Sequence, residues 1–320
     1  MSKDFDVVAL GELLVDMTAS GVSAQGNDMF EACPGGAPCN VLAMLNNLGK
    51  KTAFIGKVGQ DMFGKMLKST IEGLGINTEM LHMDQNVNTT LAFVKNNADG
   101  DREFSFYRNP GADMMINETE IDEEFIKKGR IFHHGTLSMT HEECRNATKK
   151  AIKYAKDNGL IISFDPNLRE SLWDDLQVAK EQMEYGMKYC DILKISDNEL
   201  QFMTGIEDYD EGIAYLRGKY DIKLILLTLG KNGSRAYYRD GRVEVPAKSV
   251  NTIDTTGAGD TFCGCVLNYI LENGLENLSI EQLEDMLVFA NSAAAIVTTR
   301  KGALKAMPKK DEICAQNIKK

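Results

Sequence analysis

A glycine-rich turn followed by an aspartate lies near the carboxyl end of the sequence, in NTIDTTGAGDTFCGCVL, residues 251–267. The apolar residues Phe262, Val266 and Ile270 recur at helical spacing after the turn, so the pattern predicts the first turns of a helix. Gly257 and Gly259 allow backbone conformations and close approaches that other residues would block. Because the N–H groups at a helix start carry the positive end of the helix dipole, this segment is suited to bind a phosphate or a developing oxyanion.

Asp260 lies at the edge of this predicted anion hole. A carboxylate there can accept the proton of a hydroxyl that attacks a phosphoryl group. It can also simply cap the helix, as acids near a helix start often do. Other signatures are missing from the sequence: there is no P-loop, GAGDTF does not complete a G-x-G-x-x-G motif, and no G-x-S-x-G elbow occurs.

The composition narrows the class of ligand. The 320 residues include 47 acidic and 36 basic side chains, which give a formal net charge of −11. This balance disfavours a nucleic-acid surface, which needs a basic stripe. It is typical of a protein with a small-molecule ligand, whose anionic groups need local help from backbone N–H groups or a cation.

Cysteine, histidine and hydropathy patterns indicate a cytoplasmic protein. The seven cysteines are scattered and odd in number, and no secretion signal is visible, so reduced thiols are expected. The four histidines form no metal-binding pattern, which argues against a protein-ligated transition metal. No apolar run reaches 18 residues, so we expect no membrane segment.

Strand and helix patterns alternate along most of the chain. Strands are predicted at the start of DVVALGELLVDM, in KTAFIGKVG before its turn, and in LIISFD, CDILKIS and IKLILLTLG. A helix with a glycine C-cap is predicted in APCNVLAMLNNLG, which ends on Gly49. Such alternation predicts an α/β fold with a parallel sheet and helices on its faces. Ligands are then expected at the carboxyl ends of the strands.

One region breaks this alternation. Residues 88–113 alternate apolar and polar side chains around NADGD, residues 97–101, which is a hairpin signal. We predict an antiparallel flap, joined by the chain from about residue 16 to residue 32. Such a flap is suited to close over a ligand, although an ordinary edge hairpin has the same pattern.

The motif DTTGAGD, together with PGGAPCNVLAMLNNLG, resembles the ribokinase-like (PfkB-type) family of small-molecule kinases. The resemblance extends over nearly all 320 residues. It implies a single domain over residues 1–320, with a three-layer α/β/α body, a mostly parallel sheet and a small β lid formed from about 16–32 and 88–113. It also implies ATP and Mg²⁺, with a phosphoryl group transferred to a sugar-type hydroxyl.

The resemblance assigns roles by matching motif. Asp260 matches the catalytic base, and the backbone of Gly257, Ala258 and Gly259 matches the anion hole. The residues that match acceptor-hydroxyl contacts are Asp16, Gly35, Gly36 and Asn40. This agrees with their chemistry, because carboxylates and amides bind hydroxyls and paired glycines let a substrate approach the backbone. Asn40 has an alternative role as the N-cap of the helix that follows.

For the nucleotide, the segments KISDNEL, TLGKNG and FANSAAA match family loops near ATP. The residues assigned to ATP binding are Lys194, Glu199, Thr228, Gly230, Gly233, Gly257, Gly259 and Asn291. Glu199 resembles the acidic end of the family's N-x-x-E motif, which is tied to Mg²⁺, although Ser196 replaces the first Asn here. We expect this carboxylate to act on Mg²⁺ through water, because Mg²⁺ retains most of its hydration.

A potassium site is also implied by the resemblance. The run TTRKGA, residues 298–303, matches the monovalent-cation segment of many family members. The expected ligands are the carboxylate of Asp254 and the carbonyl groups of Thr256, Val297, Arg300 and Gly302. A cation there would order the anion hole without touching the substrate.

Three motifs in the middle of the chain indicate which sugar accepts the phosphoryl group. FDPNLRESLW, FSFYRNPGAD and KISDNEL most resemble bacterial fructokinases and, next, 2-keto-3-deoxygluconate kinases. Arg169 is a candidate to neutralise the transferred phosphoryl group. Arg108 is a candidate for the same role, for binding a keto-acid carboxylate, or for a solvated lid residue. Asp165 and Asn167 are candidates to orient the Arg169 loop.

The sequence is also compatible with two other functions and with a homodimer. Adenosine kinase is a weaker reading, because no aromatic pair is placed to sandwich a purine. A sugar- or nucleotide-binding sensor would bind without chemistry. The apolar faces of LAFV and FSFY in the flap are suited to pair two copies into a homodimer.

Overall fold

The computed structural model describes residues 3–96 and 102–318, so the predicted NADGD turn at 97–101 lies outside the described residues. The strands are β1 Phe5–Leu10, β2 Leu14–Val22, β3 Asp28–Gly35, β4 Thr52–Gly59, β5 Asn77–Asp84, β6 Leu91–Asn96, β7 Arg102–Tyr107, β8 Gly129–His134, β9 Ile161–Phe164, β10 Ile192–Ser196, β11 Leu224–Thr228, β12 Ser234–Tyr238 and β13 Gly241–Val245. The helices are α1 Ala37–Asn47, α2 Met62–Gly73, α3 Glu123–Ile126, α4 Glu142–Asp157, α5 Leu176–Tyr189, α6 Asp197–Thr204, α7 Tyr209–Lys219, α8 Ala258–Asn273, α9 Ile280–Thr298 and α10 Lys310–Ile318.

The larger sheet has the strand order β13-β12-β11-β10-β9-β8-β1-β4-β5, with nine strands in the described ranges. Neighbouring strands from β11 through β5 in this order pair in parallel. Among the described strands of this sheet, only the β11–β12 and β12–β13 pairings at one edge are antiparallel. The alternation of strands and helices therefore predicted the sheet type correctly, since parallel neighbours need helical crossovers.

Helices cover both faces of this sheet. On β1, Val7 and Ala9 belong to one hydrophobic cluster, which includes residues of α1, α8 and α9. Val8 and Leu10 point to the opposite face and pack in a second cluster with residues of α4, α5 and α7. Because successive side chains of a strand alternate between faces, the buried apolar run of β1 serves two cores. The predicted three-layer α/β/α body is confirmed.

A second, four-stranded sheet has the order β3-β2-β6-β7. β2 pairs antiparallel with β3, and β6 with β7, from the two segments in which the flap was predicted. The antiparallel pairing predicted within residues 88–113 is confirmed for β6 and β7. The two segments join through β2 and β6, which pair in parallel, with Val15 opposite Leu91. After β3 the chain passes through α1, β4, α2 and β5, which belong to the α/β body, and then enters β6. β2 and β6 therefore both extend from strands of the large sheet, and they run in the same direction.

The carboxyl ends of the parallel strands meet at one edge of the large sheet. β1 ends at Leu10, β9 at Phe164 and β10 at Ser196, and polar residues follow each of these ends. The smaller sheet begins from the same edge, directly after β1. Ligand sites are expected at this edge in open α/β sheets. In the described part of the chain, no helix is long and apolar enough to cross a membrane.

Close packing of α1 against α8 aligns the starts of these two helices. At Gly264 of α8, a Cβ atom would lie 2.8 Å from Met44 Cβ and 3.1 Å from the carbonyl oxygen of Val41. Two helices can approach this closely only where one of them presents a hydrogen atom in place of a side chain. Gly264 therefore sets the distance between the two helices.

We predict that Gly264→Ala lowers the free energy of unfolding by about 1–3 kcal/mol, because the added methyl group overpacks the contact with Met44. Urea unfolding followed by circular dichroism measures the change. Gly73→Ala is the matched control, since a Cβ atom there would meet no atom within 4 Å. The control is expected to raise stability by at most about 1 kcal/mol. Equal stabilities for the two variants would contradict the packing argument.

Candidate active site

A cavity of about 610 Å³ lies where the edge of the large sheet meets the smaller sheet. Its walls come from the residues after β1, from β2 and β3, from the loop after β9, from the start of α6 and from the segment that leads into α8. The predicted site residues on these walls are Asp16, Gly36, Asn40, Arg169, Lys194, Glu199, Asp254, Thr256, Gly257, Ala258, Gly259, Asp260 and Gly302. The structure thus brings together segments that are more than 200 residues apart in the sequence.

The glycine turn forms the start of α8, as predicted. Gly257 occupies the N-cap position with φ 76°, a left-handed conformation that favours glycine. A Cβ atom at Gly257 would also lie 2.9 Å from Ala303 Cβ, and one at Gly259 would lie 3.2 Å from Lys194 Nζ. The N–H groups of the first turn have no partner inside the helix, and the residues that carry them line the cavity. Lys194 thus places an ammonium group beside these N–H groups.

Asp260 is the third residue of α8 and is only 8% exposed. Its Oδ2 accepts a hydrogen bond of 2.7 Å from Asn40 Nδ2, and its Oδ1 accepts one of 3.3 Å from Asn167 Nδ2. The alternative that Asp260 caps the helix is wrong, because Gly257 holds the N-cap position and the carboxylate accepts from side-chain amides instead.

Burial raises the pKa of Asp260. The hydrogen bonds from Asn40 and Asn167 and the charges of Lys194 and Arg169 oppose this rise. A carboxylate with a raised pKa is a stronger base, while its partners hold its two oxygens in defined positions.

Asn40 belongs to the first turns of α1, whose N-cap is Gly36, so the alternative role of Asn40 as the N-cap is wrong. Its side chain is buried, and the amide nitrogen is committed to Asp260. Among the described residues, the amide oxygen Oδ1 has no hydrogen-bond partner. A buried acceptor of this kind is costly unless a ligand satisfies it.

The remaining acceptor-side residues meet at the start of α1. A Cβ atom at Gly35 would lie 2.4 Å from Asp16 Oδ2, and one at Gly36 would lie 2.4 Å from the carbonyl oxygen of Glu12. Gly36 also has φ 131°, which other residues rarely adopt. Both glycines are therefore required by close approach, as the sequence pattern indicated. Gly35 itself lies behind Asp16 and not on the cavity wall.

Glu12 is a cavity residue that the sequence analysis missed. Its side chain is buried, and Oε1 accepts a hydrogen bond of 2.7 Å from the N–H of Ala37 at the start of α1. Burial raises the pKa of Glu12 to about 7, with a smaller contribution in the same direction from Asp113. An acid directly after a strand, as in GELLVD, could have marked Glu12 as a candidate, but only the fold shows that its side chain is buried at the cavity.

Lys194 forms a buried ion pair with Asp165, with 3.1 Å between Nζ and both carboxylate oxygens. Burial works to lower the pKa of Lys194, but the charges of Asp165, Glu199 and Asp260 outweigh it and raise this pKa above the usual value. The ammonium group therefore stays charged next to Gly259. Sequence reasoning assigned Lys194 to ATP binding but did not pair it with Asp165.

Glu199 lies on the cavity wall and holds two backbone segments together. Ser196 is the N-cap of α6, and Glu199 Oε2 accepts from both its N–H and its hydroxyl, which completes a capping box. Glu199 Oε1 accepts a hydrogen bond of 2.8 Å from the N–H of Leu168. The serine that replaces Asn at the first position of the N-x-x-E motif is thus explained by its role as the N-cap of α6. In the described part of the chain, no three His, Cys, Asp or Glu side chains converge into a metal-binding cluster.

The two candidate arginines differ in position. Arg169 is exposed on the cavity wall, and its Nη1 donates to the carbonyl groups of Asn167 and Leu168. Arg108 is buried beyond the cavity wall, so the alternative of a solvated lid residue is wrong. Its guanidinium group donates to Asp113, Thr140 Oγ1 and the carbonyl of Leu137. These partners tie the end of β7 to the large sheet.

Four residues that were assigned to ATP binding lie away from this cavity: Thr228, Gly230, Gly233 and Asn291. Asn291 Nδ2 donates to the carbonyl of Val245, and Asn291 Oδ1 accepts from Ser234 Oγ, so its amide joins α9 to the β12–β13 edge. Thr228 is opposite Ser196 in the sheet register and so ends at the same edge. The assignment of these four residues to the nucleotide stays a prediction.

The two segments of the predicted potassium site lie side by side. Asp254 Oδ1 accepts from the N–H and hydroxyl of Thr256, and Asp254 Oδ2 accepts from the N–H of Gly302 at 3.0 Å. The carbonyl of Thr298 accepts from the N–H of Asp254 at 3.1 Å. Asp254 therefore orders the backbone directly before Gly257.

Comparisons with known proteins bear on this site. Residues 4–310 match the pfkB family of carbohydrate kinases. The chain is 42% identical over 304 residues to "Probable fructokinase-2" of Arabidopsis thaliana, with 94% of this chain and 92% of that protein covered. A fructokinase with bound ATP from Xylella fastidiosa superposes with a TM-score of 0.89 at 29% identity, over 97% of each chain. A fructokinase variant from Vibrio cholerae O395, in fructose, ADP and potassium ion bound form, superposes with a TM-score of 0.88 at 31% identity, over 98% of this chain and 99% of that one.

The resemblance found in the sequence motifs is therefore confirmed over nearly the whole chain, as is the ribokinase-like fold. A family match over residues 4–310 includes both β1 and the start of α8, so it covers every wall of the cavity. The chain belongs to the pfkB family of carbohydrate kinases and is a phosphotransferase that acts on a sugar hydroxyl.

Proposed function

We propose that this chain is an ATP-dependent fructokinase, which transfers the γ-phosphoryl group of ATP to a primary hydroxyl of fructose. The observation that carries the proposal is the 2.7 Å hydrogen bond from Asn40 to Asp260 on the cavity wall. It joins a buried base to the acceptor side of the cavity, directly beside the glycine turn. The names of the relative and of the solved structures described above support fructose as the acceptor.

Fructose is proposed to bind between β2 and the start of α1. The Asp16 carboxylate accepts hydrogen bonds from hydroxyl groups, and Asn40 Oδ1, which has no partner among the described residues, accepts another. Gly36 leaves the backbone at the wall open to a close approach. A neutral polyol has enough hydroxyl groups to satisfy these acceptors.

The charge of the cavity wall favours a neutral acceptor. The acidic residues on the wall are Glu12, Asp16, Glu31, Glu170, Glu199, Asp254 and Asp260. The basic residues there are Arg169, Lys194 and Lys301. The alternative acceptor, ketodeoxygluconate, carries a carboxylate that needs a cation, and Arg108 is already committed to Asp113 behind the wall. This arrangement disfavours the keto acid.

Asp260 is proposed as the general base. It accepts the proton of the primary hydroxyl while the hydroxyl oxygen bonds to the γ-phosphorus, and the bond from that phosphorus to the β–γ bridging oxygen breaks to release ADP. The N–H groups at Gly257–Gly259, Lys194 and Arg169 balance the negative charge on the phosphoryl oxygens. Holding the hydroxyl close to the phosphorus supplies much of the remaining rate.

The residues present fit a Mg²⁺ ion that arrives with ATP. Proteins hold Mg²⁺ through one or two carboxylates, retained waters and substrate phosphates, so a cluster of three acids is not required. Glu199 would hold the ion through water, because both of its oxygens already accept protein hydrogen bonds. When bound, Mg²⁺ neutralises charge on the phosphates.

A monovalent cation is proposed beside Asp254. The carboxylate and the carbonyl groups of Thr256, Val297, Arg300 and Gly302 belong to segments that hydrogen-bond to one another. Since Asp254 and Thr256 directly precede Gly257, a K⁺ ion held there would stiffen the anion hole. The potassium ion named in the Vibrio cholerae structure supports this proposal.

A cytoplasmic location and a homodimer through the smaller sheet complete the proposal. All seven cysteines are free thiols, which suits a reducing compartment. On the outer face of the smaller sheet, Phe30, Phe93 and Tyr107 form an aromatic row with ring centroids 5.1 and 5.2 Å apart. Phe30 is 41% and Tyr107 65% exposed, and a second copy would cover them.

We predict that ADP release from MgATP is fastest with fructose. Its kcat/KM should exceed those for ketodeoxygluconate, ribose and adenosine by about tenfold or more, because a site built for particular hydroxyls rejects analogues that leave its acceptors unpaired. A coupled assay for ADP measures each rate. A preference for ketodeoxygluconate would keep the family but overturn the acceptor. Saturable sugar binding without ADP release would favour the sensor reading.

Asp260→Asn provides the test of the base. It keeps the shape of the side chain but cannot accept the proton, so we expect kcat with fructose to fall about 10²–10⁴-fold. The melting temperature and the Kd for fructose report whether the cavity is intact. Full activity of this variant would contradict the assignment of Asp260.

We predict that replacing KCl by tetramethylammonium chloride at constant ionic strength lowers kcat by about five- to hundredfold, which corresponds to about 1–3 kcal/mol of lost transition-state stabilisation. Tetramethylammonium is too bulky for the carbonyl groups of Thr256, Val297, Arg300 and Gly302 to surround it closely, so the anion hole would lose its support. ADP release with saturating fructose measures the effect. Equal rates in the two salts would remove the cation from the proposal.

We predict a dimer in solution that Phe30→Ser combined with Tyr107→Ser converts to a monomer. Light scattering coupled to size-exclusion chromatography measures the mass. Met62→Ser, at a methionine that is 74% exposed on α2, is the matched control and should stay dimeric. A wild-type monomer at micromolar concentration would contradict the assembly.

A further inference from the structure

Asn167 has a strained backbone at a position where its side chain faces the candidate base. Its φ of 46° lies in the left-handed region, which few residues other than glycine adopt. The residue lines the cavity, and its Nδ2 is 3.3 Å from Asp260 Oδ1. Strained backbone persists only where the surroundings hold it in place.

The turn is held on both sides of Asn167. Before it, the carbonyl of Pro166 accepts hydrogen bonds from the N–H and the hydroxyl of Thr136, and Asp165 is fixed by Lys194. After it, the N–H of Leu168 donates to Glu199. The N–H of Asn167 itself donates to Asp165 Oδ1 at 3.2 Å. These contacts fix the backbone that carries the Asn167 side chain, whose amide reaches Asp260.

We propose that Asn167 is a positioning residue, which fixes the orientation of the Asp260 carboxylate for proton transfer. Asn40 holds one oxygen of that carboxylate and Asn167 holds the other, so the two amides fix rotation about the Cβ–Cγ bond of Asp260. The inference rests on the proposed role of Asp260 as the base. In this proposal, a residue of the loop after β9 orients a base on α8, 93 residues later in the sequence.

The same loop connects the base to the phosphate side of the cavity. Asp165 Oδ1 accepts from Lys194 Nζ at 3.1 Å as well as from the N–H of Asn167. Lys194 Nζ lies beside Gly259, where the phosphoryl group is proposed to bind. The orientation of the base therefore depends on the intact Lys194–Asp165 ion pair.

A purely structural role for Asn167 makes a different prediction. Asn tolerates the left-handed region better than most residues, so it could occupy this position for its backbone alone. Glycine would then serve equally well, because it adopts φ 46° without strain. The positioning role needs the amide itself.

The test compares Asn167→Gly with Asn167→Ala in steady-state assays with fructose and MgATP. We expect both variants to lose about 10- to 100-fold in kcat, since a hydrogen bond to a charged group is lost in each. KM values for both substrates should stay within about twofold, because Asn167 orients the base and does not bind the sugar. Only the alanine variant should also lose stability, since it alone is strained at this φ.

Asn277→Gly is the matched control. Asn277 is an exposed residue with φ 60°, away from the cavity wall, so this variant makes the same change in the same backbone region. It should keep the wild-type kcat. If Asn167→Gly also keeps kcat within twofold of wild type, the backbone alone explains Asn167 and the proposal is wrong.

The pH profile of kcat/KM gives a readout that a structural role would not move. The Asn167 hydrogen bond lowers the pKa of Asp260, so removing it raises that pKa. Activity needs the ionised carboxylate, and the acidic limb of the profile should therefore move to higher pH in Asn167→Gly. The charged or titratable groups around Asp260 are Lys194, Arg169, Asp165, Glu199 and Cys263. All of them are retained in the variant.

The two proposals fail in distinguishable ways. If Asp260→Asn retains full activity, the base itself is wrong, whatever Asn167 does. If Asp260→Asn is inactive while Asn167→Gly has wild-type kcat and an unshifted acidic limb, Asp260 stands and only the positioning role of Asn167 is overturned.

Discussion

The buried hydrogen bond between Asn40 and Asp260 constrains the architecture of the cavity more than any other contact on its walls. An ionised carboxylate that is 8% exposed needs donors nearby, and the nearest donor comes from a helix 220 residues earlier in the sequence. The starts of α1 and α8 must therefore meet. Gly264 lets the two helices pack closely enough, and both helices begin at a glycine whose missing side chain makes room for neighbouring protein atoms.

Charge balance explains the contacts around Lys194. Asp165, Glu199 and Asp260 are all buried around Lys194, whose ammonium group is the buried cation that their charges stabilise. Each of the three acids also accepts a hydrogen bond from the loop at 167–168. Because unpaired buried charges are costly, loss of any one partner would disturb the others. The loop after β9 is consequently as much a part of the site as the glycine turn.

Features that depend on local sequence were predictable. The glycine turn, the start of α8 and the strand–helix alternation all follow from neighbouring residues. A left-handed glycine was also predicted at the end of α1, and Gly49 has φ 82°, although the C-cap itself is Leu48 rather than Gly49. Pairings between distant segments were not predictable in this way. Arg108 was a candidate to face the substrate, but its ion-pair partner Asp113 and the distant Thr140 and Leu137, about 30 residues later, hold it behind the wall. The parallel pairing of β2 with β6 depends equally on chain direction and leaves no local pattern.

Glu199 shows how one sequence pattern can support two interpretations. Its motif was read as a metal-linked N-x-x-E, yet Ser196–Glu199 is also a capping box, which the sequence S-x-x-E indicates equally well. The two readings do not exclude each other, since a carboxylate oxygen that accepts one N–H hydrogen bond can accept a second from a metal-bound water. Because the capping box fixes the carboxylate and the carboxylate fixes Leu168, the residue that is proposed to face Mg²⁺ also holds the loop that orients the base. Fold and chemistry therefore depend on the same buried groups at this edge of the sheet.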